Sequence, residues 1–234
     1  MSYTENMEDF IRRTDNGIQT WQPGNSFFSK VYLLMTAALI LTAASSYIVS
    51  RYFIDLFYSN YTIVFGLLLL ELILVVVLSA LSDKLSAPLM FAVFAAYAVI
   101  NGITLTPVLL VYTTASVFKA FLTTSLVFGG MSVVGLVVKK DLSGFGRFFL
   151  FALIGVLISL LLNLIIFRSG LLDLILSLAI VLIFAGLTAY DTQRIKDIAR
   201  SSPSSKRAIR CALTLYLDFI NIFINLLKIF GQRR

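Results

Sequence analysis

Seven runs of about 20 or more predominantly apolar residues follow one another along this chain, at 28–50, 61–81, 87–112, 115–138, 145–167, 171–191 and 208–230. Each is close to the length a helix needs to cross the hydrocarbon core of a bilayer, about 20 residues. The runs are too long and too uniformly apolar for the alternation of a membrane β-barrel. Composition closes the other route: with 59% hydrophobic and 13% charged residues, the chain lacks the side chains for the surface of a soluble domain. The pattern predicts an all-α membrane protein of seven transmembrane helices. Three regions follow: a polar N-terminal tail at 1–27, a seven-helix membrane domain at 28–231 and a C-terminal tail at 232–234. The lipid bilayer is the first partner implied.

The tail is no secretory signal, because a signal peptide carries its apolar segment much closer to the start. Lys and Arg set the expected orientation. Thirteen of them fall on one side, in the N-terminal region and in the second–third, fourth–fifth and sixth–seventh connections. Six fall on the other: Arg51, Lys119, Arg168, Lys228, Arg233 and Arg234. The N-terminus is therefore expected on the cytoplasmic side. The terminal "GQRR" sits awkwardly with seven crossings, but the last run has the length of a full span. The net charge of +7 is spread over short connections, which argues against nucleic-acid binding.

With one cysteine, Cys211, and no histidine, a disulfide within the chain is impossible and a zinc, copper, haem or iron–sulfur centre is not expected. No tightly bound cofactor is expected. No Ser/His/Asp set or nucleotide-binding glycine loop is present, and the glycines of "DLSGFG" do not fit such a loop, so the chain is not expected to be an enzyme.

Acids inside the spans carry the functional reading, because an ionisable group in a membrane is costly and faces protein or water. Thr214, Asp218, Asn221 and Asn225 on the last span are spaced 4, 3 and 4, which puts them on one helical face, expected to turn into the bundle. Such a face can be a hydrogen-bonding seam between helices. Glu71 lies near the middle of the second span. The third span offers Gly102 and Pro107 as kink points and Asn101, Thr104 and Thr106 as nearby oxygens. Asn163 falls in the fifth span, and Asp173 stands at the start of the sixth, as a cap or reaching the outer interface. Asp191 stands at the cytoplasmic end of the sixth, before Arg194 and Lys196. The sixth and seventh spans are neighbours joined at that end, so Asp191 and Asp218 share one half of the bilayer. If the helices tilt, the two carboxylates meet. They cannot then both ionise easily and share a proton. Without histidine, this pair is the expected site of any pH response.

The segments "GLTAYDTQRIK", "KKDLSGFG", "NGITLTP" and "LTLYLDFINIFINLLKIFG" resemble the transmembrane Bax inhibitor motif family, the Bax inhibitor-1-like proteins, in its bacterial form. The resemblance implies that the last helix is central and surrounded by the other six, arranged as two three-helix layers. It implies a pH-sensitive calcium leak, with Asp191 and Asp218 as the pH sensor and gate and as weak calcium ligands. Glu71 then lies on the ion path, with Asn221 and Asn225 further along it. Where some members carry an arginine near the end of the second span, this chain reads "LSALSDKLS", with Ser82 and Lys84. A bacterial inner membrane and calcium as permeant ion follow. Two other readings stay open. One is a regulator or substrate of a membrane-bound protease or envelope complex, without ion transport. The other is a proton-coupled transporter of small solutes.

Overall fold

The computed structural model describes residues 23–53 and 61–234. Seven helices occupy them: α1 (Pro23–Tyr52), α2 (Tyr61–Ala80), α3 (Ala87–Val111), α4 (Thr114–Val137), α5 (Ser143–Leu162), α6 (Gly170–Ser201) and α7 (Ser205–Phe230). The expected tail boundary at residue 27 falls within α1, and residues 1–22 lie outside the described residues. Six helices are long and apolar enough to cross a membrane; in the remaining one, α2, the apolar stretch runs over Phe65–Ala80.

Local chemistry explains where the helices start. Ser86, Thr113, Ser169 and Ser204 each precede a helix and accept a hydrogen bond from the backbone N–H three residues on. Each thereby satisfies one of the donors that a helix start leaves unpaired. α5 ends differently, in a π-helical turn over Asn163–Phe167 closed by Arg168 in the left-handed conformation (φ 50°). Asn163 folds back there: its Nδ2 donates to Ser169 O and to Asp173 Oδ1, and its Oδ1 accepts from Ser169 N. Asn163 and Asp173 thus hold the α5–α6 turn.

The sixth span departs from expectation. It was expected to end at Asp191, before a long basic loop. Instead α6 continues to Ser201, and only Ser202–Ser204 separate it from α7. The extension is amphipathic: Ile195 and Ala199, four apart, are buried at 2% and 4% exposed, while Arg194, Asp197 and Arg200 are exposed. Pro203 stops it, because the residue before a proline disfavours helix.

Hydrogen bonds sort the connections to two ends. At the first, Lys30 Nζ donates to Ser205 Oγ, Lys206 Nζ to Asp83 O, and Gln193 clasps the α4–α5 connection. At the second, Thr113 N donates to Gln232 O and Arg234 N to Val111 O. α3 and α7 therefore start together and finish together. α7, 26 residues and about 39 Å long at 1.5 Å per residue, runs the full depth of the bundle rather than turning back.

The outer surface is apolar: Leu126, Phe151 and Leu164 are 70%, 71% and 72% exposed. Water would not tolerate such a surface, and lipid would. The most buried helix is α7, whose Leu215, Tyr216, Ile222 and Leu227 are wholly enclosed. Its main neighbours are α6, α4, α1 and α3, while α2 lies chiefly on α3 and α5 on α6. The six-helix ring expected around α7 is thus reduced to four close neighbours among the described residues. Close approach depends on small residues, as in lipid, where packing rather than water drives association. A Cβ on Gly102 would stand 2.2 Å from Thr42 O, and one on Gly135 2.2 Å from Ala189 O.

Candidate functional site

Two polar sites occupy the interior. The first crosses four helices. Glu71 on α2 accepts from Thr104 Oγ1 and, at 3.5 Å, from Asn101 Nδ2, both on α3. Asn101 Oδ1 accepts from the Tyr216 hydroxyl on α7 at 2.9 Å. That hydroxyl lies 2.6 Å from Thr42 Oγ1 on α1, which also reaches Ala98 O at 2.9 Å. Tyr216 is fixed by its ring as well. Phe94 and Tyr97 meet it edge-to-face, with centroids 5.9 and 5.7 Å away. The structure brings Asn101, through its amide nitrogen, and the Thr104 hydroxyl to Glu71, but not the hydroxyl of Thr106, which bonds Ser46 and Gly102 O.

Sequence reasoning missed Thr42 and Tyr216. A tyrosine among aromatic residues and a threonine in an apolar helix read as ordinary packing. The available signal was Tyr216 lying two residues before Asp218, on a helix whose polar positions were already under suspicion.

The second site is the aspartate pair. Asp218 is 3% exposed and Asp191 8% exposed, on the closely packed α6 and α7. Asp191 lines a cavity together with Arg194, Arg207 and Arg210. Asp218 Oδ2 is buried without a hydrogen-bond partner. Lys196, five residues on from Asp191, donates through its Nζ to Leu136 O at 2.6 Å.

The polar stripe of the last helix does not turn inward as a whole. Arg210, Thr214, Leu217, Asn221 and Ile224, spaced 4, 3, 4 and 3, are half-buried, whereas Asp218 and Asn225 are buried. The asparagines do not glue helices through their amide N–H groups. Asn221 Nδ2 donates to Leu217 O and Asn225 Nδ2 to Asn221 O, both on their own helix at 2.8 Å. Asn225 Oδ1 is left buried and unpartnered. Two buried oxygens on α7, Asp218 Oδ2 and Asn225 Oδ1, are therefore without a partner, and a hydrogen-bond donor or a cation is what they can accept. Among the described residues no three His, Cys, Asp or Glu side chains gather as metal ligands.

Comparison with known proteins agrees with the architecture. The chain is 38% identical over 234 residues to an inner membrane protein, YbhL, of Escherichia coli K12, covering 97% of this chain and 100% of the relative. It is 43% identical over 212 residues to an uncharacterized protein of Deinococcus radiodurans, covering 89% and 91%. An uncharacterized membrane protein of Streptococcus pyogenes serotype M3 is 40% identical over 215 residues, covering 89% and 93%. Residues 24–234 match the family described as inhibitor of apoptosis-promoting Bax1. With that match spanning nearly all of its helical domain, the chain belongs to the Bax inhibitor-1-like family of membrane proteins.

Proposed function

We propose that this protein is a pH-sensitive calcium leak of a bacterial inner membrane, with its N-terminus in the cytoplasm. A proton shared by Asp191 and Asp218 holds it closed, and α7 forms the centre of the conducting bundle. The observation that carries this reading is the unpartnered Oδ2 of Asp218, a residue 3% exposed. A buried carboxylate oxygen without a donor is costly unless a proton or a cation meets it. Calcium is a hard cation that binds through oxygen, usually through six to eight ligands. Two carboxylates with scattered amide oxygens fall short of that, which suits passage better than storage. Glu71, Asn221 and Asn225 offer further oxygens along the route. The charge distribution supports the orientation, since the end that holds the α2–α3, α4–α5 and α6–α7 connections carries most of the Lys and Arg. The similarity to the E. coli inner membrane protein supports the location.

The test is calcium-dye flux into liposomes holding the purified full chain, from about pH 5 to 8, against empty liposomes. Flux above the empty control that varies with pH supports the proposal. Absence of flux at every pH would overturn it and favour a regulator or substrate of a membrane-bound protease, which needs a partner to act.

A further inference from the structure

A cavity of about 460 Å³ opens between the end of α2, α6 and the start of α7, beside Asp191, and its charged lining is mainly basic. Arg194 of α6 and Arg207 and Arg210 of α7 line it, against a single acid, Asp191. Three guanidinium groups carry about fifteen N–H donors between them. Few are used within the protein. Arg207 Nη1 donates to Ser202 O at 3.1 Å. Arg210 Nη1 lies 4.0 Å from Oδ1 of Asp83, whose side chain is 96% exposed, a contact of little strength.

A second observation points the same way. α7 begins at Ser205, and its first two turns hold Lys206, Arg207 and Arg210 with no acid in the first turn. The start of a helix carries partial positive charge and favours anions, so cations there are misplaced by the ordinary rule. The arrangement suits a ligand that brings negative charge to the helix start and the guanidinium groups together. Ile195, Ile198 and Leu213 complete the wall, which gives the cavity an apolar side next to its charged one.

We propose that this cavity binds a phosphate group, held by Arg194, Arg207 and Arg210 at the basic end of the bundle. Its source is either the headgroup of an anionic phospholipid, whose chains would run along the apolar wall, or a free phosphate anion. The site goes beyond the ion-leak reading and borders Asp191 of its aspartate pair, but phosphate binding is read here without any ion flux.

The experiment uses the full chain in neutral detergent and measures binding by native mass spectrometry. The probes are phosphatidylglycerol, phosphatidylcholine and inorganic phosphate. Phosphatidylglycerol or inorganic phosphate should bind at one site more tightly than phosphatidylcholine. Arg194→Gln, Arg207→Gln and Arg210→Gln should each weaken that binding roughly tenfold, the loss expected for one charge-assisted contact. Lys140→Gln, an exposed cation in the α4–α5 connection, should leave it unchanged and controls for general surface charge. Binding of phosphatidylglycerol alone assigns the site to a headgroup, and binding of inorganic phosphate with displacement of the lipid assigns it to a free anion. The proposal is overturned if neither probe exceeds phosphatidylcholine, or if Lys140→Gln weakens binding as much as the arginine substitutions do. Should one arginine variant fail to fold, the other two still decide.

Discussion

The Tyr216 hydroxyl on the last helix lies 2.6 Å from Thr42 Oγ1 on the first, although 174 residues separate them in the chain. Two hydroxyl protons serve that contact, and more acceptors than two compete for them: Asn101 Oδ1, Ala98 O and Ala38 O. The pair therefore has two self-consistent settings. Tyr216 donates to Asn101 while Thr42 donates to Tyr216, or Tyr216 donates to Thr42 while Thr42 donates to a carbonyl. Whichever holds, α1, α3 and α7 are joined at one point, and Asn101 extends the join to Glu71 on α2.

Tyr216→Phe should therefore destabilise the protein by about 1–3 kcal/mol, since Asn101 Oδ1 and Thr42 lose a buried partner. Thermal unfolding in detergent measures it. Thr42→Val together with Tyr216→Phe should cost less than the sum of the single changes, because both remove the same bond. Additive losses would mean that the hydroxyls contribute separately.

Gly102→Ala tests the close packing beneath the same network. The added Cβ would lie 2.1 Å from Ser45 Oγ and 2.2 Å from Thr42 O. The serine can rotate, but the backbone oxygen cannot without moving α1. A loss of about 1–3 kcal/mol is expected, the usual cost of overpacking. A melting temperature equal to the wild type would show that α1 and α3 slide apart freely.

Gln193 holds the α4–α5 connection from one side chain. Its Oε1 accepts from Leu142 N at 2.8 Å, and its Nε2 donates to Val138 O and Lys140 O at 3.2 and 2.9 Å. Gln193→Ala should cost about 1–2 kcal/mol, because water can replace some of these bonds near the surface. Faster amide exchange confined to residues 138–143 is the accompanying sign. Unchanged exchange there would show that the connection holds itself.

How much of this was visible in the sequence follows from how each feature is encoded. Seven helices were legible because lipid demands long apolar runs, and helices such as α4 and α5 supply them without interruption. The starts of α3 and α4 were legible from the apolar runs alone, at or next to residues 87 and 115, while the caps at Ser86 and Thr113 were not read. The last ten residues of α6 were not legible, because Arg194, Lys196 and Arg200 read as a loop. Their helix shows only in the spacing of the buried Ile195 and Ala199, which hydropathy averaging hides. The Glu71 neighbourhood was half legible. Asn101 and Thr104 stood out as polar residues in an apolar run, while Thr42 and Tyr216 gain meaning only from contacts across the fold. The spacing of Thr214, Asp218, Asn221 and Asn225 was read as one inward face. A stripe spaced 4, 3 and 4 is wide enough to straddle a boundary, and here it does.

Glu71→Gln separates the acid's charge from its shape. Gln keeps an oxygen to accept from Thr104, so the fold should survive with a melting temperature close to the wild type. Calcium flux in liposomes should fall, since a neutral amide attracts a divalent cation far less than a carboxylate does. Unchanged flux would remove Glu71 from the path and leave it a packing contact between α2 and α3.

The aspartate pair yields the sharpest expectation. With one proton between them, Asp191 and Asp218 can sit together across α6 and α7 without facing negative charges. Raising the pH removes that proton. Two carboxylates in a poorly solvated place then repel, at about 4 kcal/mol for charges 4 Å apart with an effective dielectric of 20. The helices part unless a cation enters between them, so flux should rise with pH, and protons and calcium should compete. Asp218→Asn and Asp191→Asn should each flatten the pH profile from about pH 5 to 8, because an amide does not titrate in that range. The double variant should add little to either one, since the same unit is already broken. Asp218→Asn also leaves an acceptor where Oδ2 has no partner in the wild type, so its folding should change little. If both single variants keep the wild-type profile, the proton that gates this protein sits elsewhere, and the two aspartates serve only the packing of α6 on α7.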